Sequence, residues 1–97
     1  MTNAGYISTT QAAVLNGPAT VITISIVNIT AALRTCNMYV RKVDSEFNAV
    51  YQQIPTDFEL DDGEMLISSV PLDLGPADSL ELVCDLDDSL VYTIVYV

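Results

Sequence analysis

Apolar residues recur at every second position through most of this chain, in runs cut short by Gly, Pro, Asp and Ser. A period of two marks a half-buried strand, so the pattern predicts β-structure throughout. The clearest run is Ala19 to Ile29, rich in the β-branched residues that fit a pleated surface. Here Ile22, Ile24 and Ile26 share one face, expected to be core, with Thr23, Ser25 and Val27 on the other. Leu33 to Val43 alternates again, setting Cys36, Met38 and Val40 against Asn37, Tyr39 and Arg41. Ala49 to Ile54 reads as a short strand stopped by Pro55, which has no amide proton for a ladder. Met65 to Val70 follows as another. Further on, Leu80, Leu82, Cys84 and Leu86 are expected to face inward, with Glu81, Val83 and Asp85 on a wet face. The last run, Leu90 to Val97, carries no charge and is apolar on both faces. Exposed, it would invite edge pairing, so it is expected to be a central strand of the domain, part of a subunit interface, or both.

Turn signals fall between these runs at Asn16-Gly17-Pro18, Asp44-Ser45-Glu46, Asp61-Asp62-Gly63-Glu64, Gly75-Pro76 and Asp87-Asp88-Ser89. Their spacing predicts one small antiparallel β-sandwich of about seven or eight strands, jelly-roll or immunoglobulin-like in order. Residues 1–97 form a single domain, with 1–15 an extended N-terminal arm or a weak first strand. No stretch carries an apolar stripe at helical spacing.

Charge narrows the range of partners. Thirteen carboxylates face three cations, Arg34, Arg41 and Lys42, for a net charge of -10. Such a field repels a polyanion, which argues against nucleic acid as a partner. The apolar stretch from Ala12 to Leu33 holds Asn16, Gly17, Pro18, Ser25 and Asn28, composition that suits strands and turns and not a bilayer helix. Residues 1–11 are polar and uncharged, without the basic and apolar blocks of a signal peptide, so the expected protein is soluble and made without an export signal of its own.

Histidine is absent. That removes Ser-His and Cys-His nucleophile pairs and any imidazole acid or base, and the carboxylates cluster at turns. No catalytic, cofactor-binding or metal-ligating residue is therefore assigned. The acidic stretch from Asp57 to Glu64, and Asp85 with Asp87 and Asp88, supply oxygens suited to calcium, yet neither follows the EF-hand pattern, and both read as solvated turns. Cys36 and Cys84 share the apolar parity of their strands, which suits buried thiols or a disulfide; an inter-sheet bridge would match an immunoglobulin core, but the chain has no tryptophan. Asn28-Ile29-Thr30 spells a glycosylation sequon, discounted for a chain of this class.

Several elements in order resemble the small β-sandwich virion proteins of tailed bacteriophages. They are a strand ending in Val27-Asn28-Ile29-Thr30, a second reading Met38-Tyr39-Val40-Arg41-Lys42, the Gly63-Glu64 turn, Leu72-Asp73-Leu74-Gly75 leading to Asp78-Ser79-Leu80, and an aromatic, β-branched closing strand. The resemblance spans residues 19–97 and is one of strand and turn pattern. It implies a structural protein without cofactor, most of all a capsid decoration (cement) protein on the outer coat surface that clamps neighbouring subunits. The alternatives are a tail, neck or fibre component, and a carbohydrate- or receptor-binding module. The implied partners are the major capsid protein or another virion protein, together with copies of the chain itself, as a trimer. Candidate interface residues are Tyr6, Arg34, Arg41, Lys42, Tyr92 and Tyr96.

Overall fold

Alternating residues need two layers to bury one face of each strand, and the chain supplies them as two five-stranded antiparallel sheets. The computed structural model describes residues 1–43, 48–69 and 71–97. Numbered in chain order, the first sheet runs β1 (Thr2–Tyr6), β10 (Leu90–Tyr96), β3 (Ala19–Asn28) and β7 (Met65–Ser68), with β8 (Leu72–Leu74) on the remaining length of β3. The second runs β2 (Ala12–Asn16), β9 (Ser79–Cys84), β4 (Arg34–Val43) and β5 (Asn48–Gln52), with β6 (Phe58–Leu60) on the rest of β4. An order of β1-β10-β3-β7 facing β2-β9-β4-β5 is the jelly-roll winding, which decides against the immunoglobulin order. The described residues contain no helix.

Between the sheets lie Val21, Ile24, Ile26, Leu90 and Ile94 from one layer and Leu15, Cys36, Met38, Val40, Leu80 and Leu82 from the other, all buried. Each such side chain is worth about 1.5–3 kcal/mol of burial, enough for a core without a disulfide or metal. Ile7, just past β1, closes one end of this core at 1 % exposure. Asn3 Nδ2 donates to the Val14 carbonyl at 3.2 Å, tying the β1 edge of one sheet to the β2 edge of the other.

Four expectations change. The first fifteen residues are not an arm but two strands, one in each sheet. Among the described residues ten strands replace seven or eight, because β6 and β8, at three residues each, are too short to show a period. Ile22 is exposed, since β3 carries a bulge: Thr23 pairs with Val95 and Val21 with Tyr96, so Ile22 is the extra residue and Val21 turns inward in its place. Leu86 is exposed as well, lying beyond the end of β9. The expected turn at Asp44-Ser45-Glu46 and the expected strand end at Val70 lie outside the described residues.

Cys36 and Cys84 meet as Cα partners on β4 and β9, within one sheet and not across the core. Asp85 N–H donates to the Thr35 carbonyl at 3.2 Å, so the neighbouring pair is hydrogen-bonded and the cysteines occupy the close, non-hydrogen-bonded position. Both are free thiols. Burial, then Cys84 and Asp85 nearby, push Cys36 up to about 11. Cys84 is also raised, chiefly by burial, while its Sγ donates to the Leu86 carbonyl at 3.0 Å. Neither is a poised nucleophile.

Candidate docking surface

The two sheets turn chemically opposite faces to solvent. On the first, cross-strand register stacks outward residues in three rungs: Tyr6, Val91, Val27 and Met65; Ala4, Thr93, Ser25 and Ile67; Thr2, Val95 and Thr23. Not one is charged. Of the five strands in this sheet, only β8 contains a charged residue, Asp73, and it lies beyond the bulge. Tyr6, Met65 and Ile67 are 61 %, 54 % and 62 % exposed. Apolar atoms on a monomer's surface are ordinary; a continuous uncharged sheet face on a chain of net charge -10 is the kind of patch that marks an interaction site.

The second sheet turns polar and charged side chains outward, among them Asn37, Tyr39 and Arg41 of β4 and Glu81 of β9. All three cations sit on β4 and each is engaged within the chain. Arg41 Nε donates to Glu81 Oε2 at 2.6 Å across the β4–β9 ladder, and Gln11 Nε2 and Ser79 Oγ donate to the same carboxylate at 2.7 and 3.1 Å. Glu81, expected on a wet face, is therefore only 6 % exposed. The Arg41 guanidinium, helped by Gln11 and Ser79 and opposed by burial, holds its carboxyl down at about 2. Lys42 Nζ donates to Asp78 Oδ2 at 3.1 Å and to the Asp73 carbonyl at 2.9 Å, linking the sheets. Asp78 also accepts from the Val43 and Gly75 N–H groups, and these bonds with Lys42 hold its carboxyl below the usual range. Arg34 lies 3.8 Å from Asp85, its Nε buried without a hydrogen-bond partner among the described residues.

Lowered carboxylate pKa values fix the sign of the acid response. Glu81 contributes stability that is full above its ordinary pKa of 4.5 and is lost as pH falls toward about 2. Glu81→Gln should cost about 2 kcal/mol at pH 6, and the gap from wild type should close progressively between pH 4.5 and pH 2 in urea titrations. A gap that held constant across that window would disprove the assignment.

The candidate interface residues do not form one patch. Tyr6 lies on the uncharged face, whereas Tyr92 and Tyr96 are half-buried on the inner side of β10, packed against the core. Tyr92 lies over Gly5, where an added Cβ would sit 3.2 Å from its hydroxyl. Arg34, Arg41 and Lys42 belong to the other sheet. Tyr39 faces outward on that sheet, pairing with Gln52 and Glu81, and Tyr51 is exposed on its edge strand, so the five tyrosines make no common stacking platform. A cleft of about 180 Å³ opens between the sheets, lined by Ile24, Met38, Gln53, Ser68, Pro71 and Leu72. That is smaller than the usual small-molecule pocket of about 300–1,000 Å³. Among the described residues no three acidic or cysteine side chains converge as a cation site requires.

Protein-family models, curated proteins and solved structures yield no match to this chain. Fold and surface chemistry therefore carry the functional argument. From its sequence β10 is apolar on both sides, whereas its partners in this face are marked only by the lack of charge on the outward residues of β3 and β7.

Proposed function

We propose that this protein is a structural virion component of a tailed phage, of the decoration type, that docks on the outer coat through the uncharged face of its first sheet. The observation that carries the reading is that face: eleven outward residues without a charge, on a chain of net charge -10 whose described carboxylates lie elsewhere. Burial of apolar surface, repeated over many copies on a lattice, supplies adhesion without catalysis. Two further features support it. Jelly-roll domains recur in virus coats, a fold-level analogy, and the acidic remainder favours a position away from packaged DNA. The dispersed tyrosines and the small cleft weigh against a sugar-binding module.

Purified particles test this directly through the copy number of the protein relative to the major coat protein. Hundreds of copies support decoration; a handful moves the protein to the tail or neck, and its absence from particles ends the virion reading. A point variant then tests the surface. Thr93 sits in the middle rung, half-buried and facing out. Thr93→Glu leaves a solvated carboxylate in the free protein but buries it on docking, so binding to stripped particles should fall about 100-fold with folding intact. Undiminished binding would place the contact on another surface.

A further inference from the structure

The β1 edge carries an interaction that requires no virion and goes beyond the proposed function. In its ladder with β10, the odd residues spend their backbone groups inward. Met1 and Tyr96 exchange hydrogen bonds at 2.7 and 2.9 Å, Gly5 stands opposite Tyr92, and Ile7 N–H donates to the Leu90 carbonyl at 2.9 Å. Antiparallel geometry then points the N–H and C=O of Thr2, Ala4 and Tyr6 the other way, along the open edge of the sheet. Among the described residues nothing pairs with them.

Open edges are usually blunted by charge, proline, a bulge or interruption. Three of the four edges here follow that rule. β2 has a bulge between Ala13 and Leu15. On the far side of the second sheet the edge is broken into β5 and β6 with Pro55 between them, and on the far side of the first it is broken into β7 and β8 with Pro71 between them. The residues of β1, Thr-Asn-Ala-Gly-Tyr, include no charge and no proline, and their register with β10 is unbroken.

We propose that β1 pairs with β1 of a second copy of this chain, antiparallel across a two-fold axis at Ala4. Ala4 then opposes its own symmetry mate, Thr2 opposes Tyr6 of the second copy and Tyr6 opposes Thr2. Only the outward-pointing residues exchange bonds in that register, and they make about six ladder hydrogen bonds with none left over. Two five-stranded sheets become one continuous sheet. The occupant follows from charge: a chain at -10 repels its own copies through most of its surface, whereas β1 against β1 brings no like charges face to face. The pairing also joins the two uncharged outer faces edge to edge, placing Tyr6 of each copy beside Thr2 of the other. Its symmetry gives a dimer, not the trimer implied by the virion resemblance.

Sedimentation equilibrium of the full chain from about 10 µM to about 1 mM is the test, with Ala4→Pro as the variant. Wild type should pass from monomer to dimer over that range, more readily as salt screens the net charge. The Ala4 N–H points outward, so proline there removes a donor from the new ladder and none from the β1–β10 ladder. The variant should stay monomeric with an unchanged thermal midpoint. Amide exchange in wild type supplies a readout independent of whether the variant folds: Ala4 and Tyr6 should exchange at least about tenfold more slowly at the top of the range than at the bottom, and Asn3 slowly throughout. A wild-type monomer at every concentration overturns the proposal. So does a trimer, a dimer that survives Ala4→Pro, or amides at Ala4 and Tyr6 that ignore concentration.

Discussion

Asn28→Asp should destabilise the protein by about 4 kcal/mol at pH 7, the largest effect expected of any single-atom exchange in this chain. Asn28 ends β3 at 1 % exposure, and its amide is the polar centre of that end of the sandwich. Nδ2 lies 2.7, 2.9 and 3.1 Å from the carbonyls of Ala32, Leu60 and Asp61, while Oδ1 accepts from the N–H and hydroxyl of Thr30 at 2.8 and 2.7 Å. One side chain thus holds together the loop after β3 and the end of β6. A carboxylate would turn a negative oxygen toward three carbonyl oxygens in a site shielded from solvent. Asn28→Ala, which leaves those groups unpaired but adds no charge, should cost about 3 kcal/mol. Urea unfolding of both variants is the measurement, and a loss below about 1 kcal/mol for either would mean that the amide is not structural. The same geometry settles the sequon on chemical grounds: the nitrogen that a glycan would need is buried and fully engaged in the folded chain.

Gly17→Ala should cost about 3 kcal/mol, through backbone collision and not lost contacts. A Cβ at Gly17 would fall far inside van der Waals contact with the Gly75 carbonyl oxygen and meet the Leu74 carbonyl carbon at 3.0 Å. Both obstacles are main chain, so no rotamer relieves them. Gly17 N–H also donates to the Asp78 carbonyl at 2.9 Å, which clamps the β2–β3 turn onto the β8–β9 turn. Forcing these turns apart disturbs Asp78 and its bonds to Val43, Gly75 and Lys42 as well. Gly63→Ala is the contrast, for Gly63 has a φ of 73° with open space around its Cβ position and should cost only about 1 kcal/mol. Equal losses at the two sites would indicate a conformational cause in place of the collision.

What could be read in advance divides along physical lines. β3, β4, β9 and β10 carry six to ten residues each, long enough for a period of two to stand out. β6 could not be seen: Phe58, Glu59 and Leu60 lie inside an acidic stretch whose charges suggested a loop. Strand order was equally hidden, because turn residues fix which strands follow one another and say nothing of which lie side by side. Glu81 shows the same limit at one residue. A carboxylate between leucines reads as solvent-facing, and only the pairing of β9 with β4 reveals Arg41, forty residues away, as its cover. The docking face was legible in part, since β10 announced that something lay against it. That one of its sides is core and the other open depended on its place between β1 and β3.

The bulge at Ile22 sets a rule for chain length. From Thr23 to Asn28 the even residues of β3 face the core, and from Ala19 to Val21 the odd ones do, with Ile22 making the exchange. Deleting Ile22 would remove the changeover and leave strict alternation, with Ala19, Val21 and Ile24 still on the packing side. Deleting Val21 and Ile22 together would put Thr20 where Val21 packs and turn the packing side of the β8 half of the strand toward solvent. The length of β3 is therefore constrained by oddness and evenness, and reach alone does not determine it.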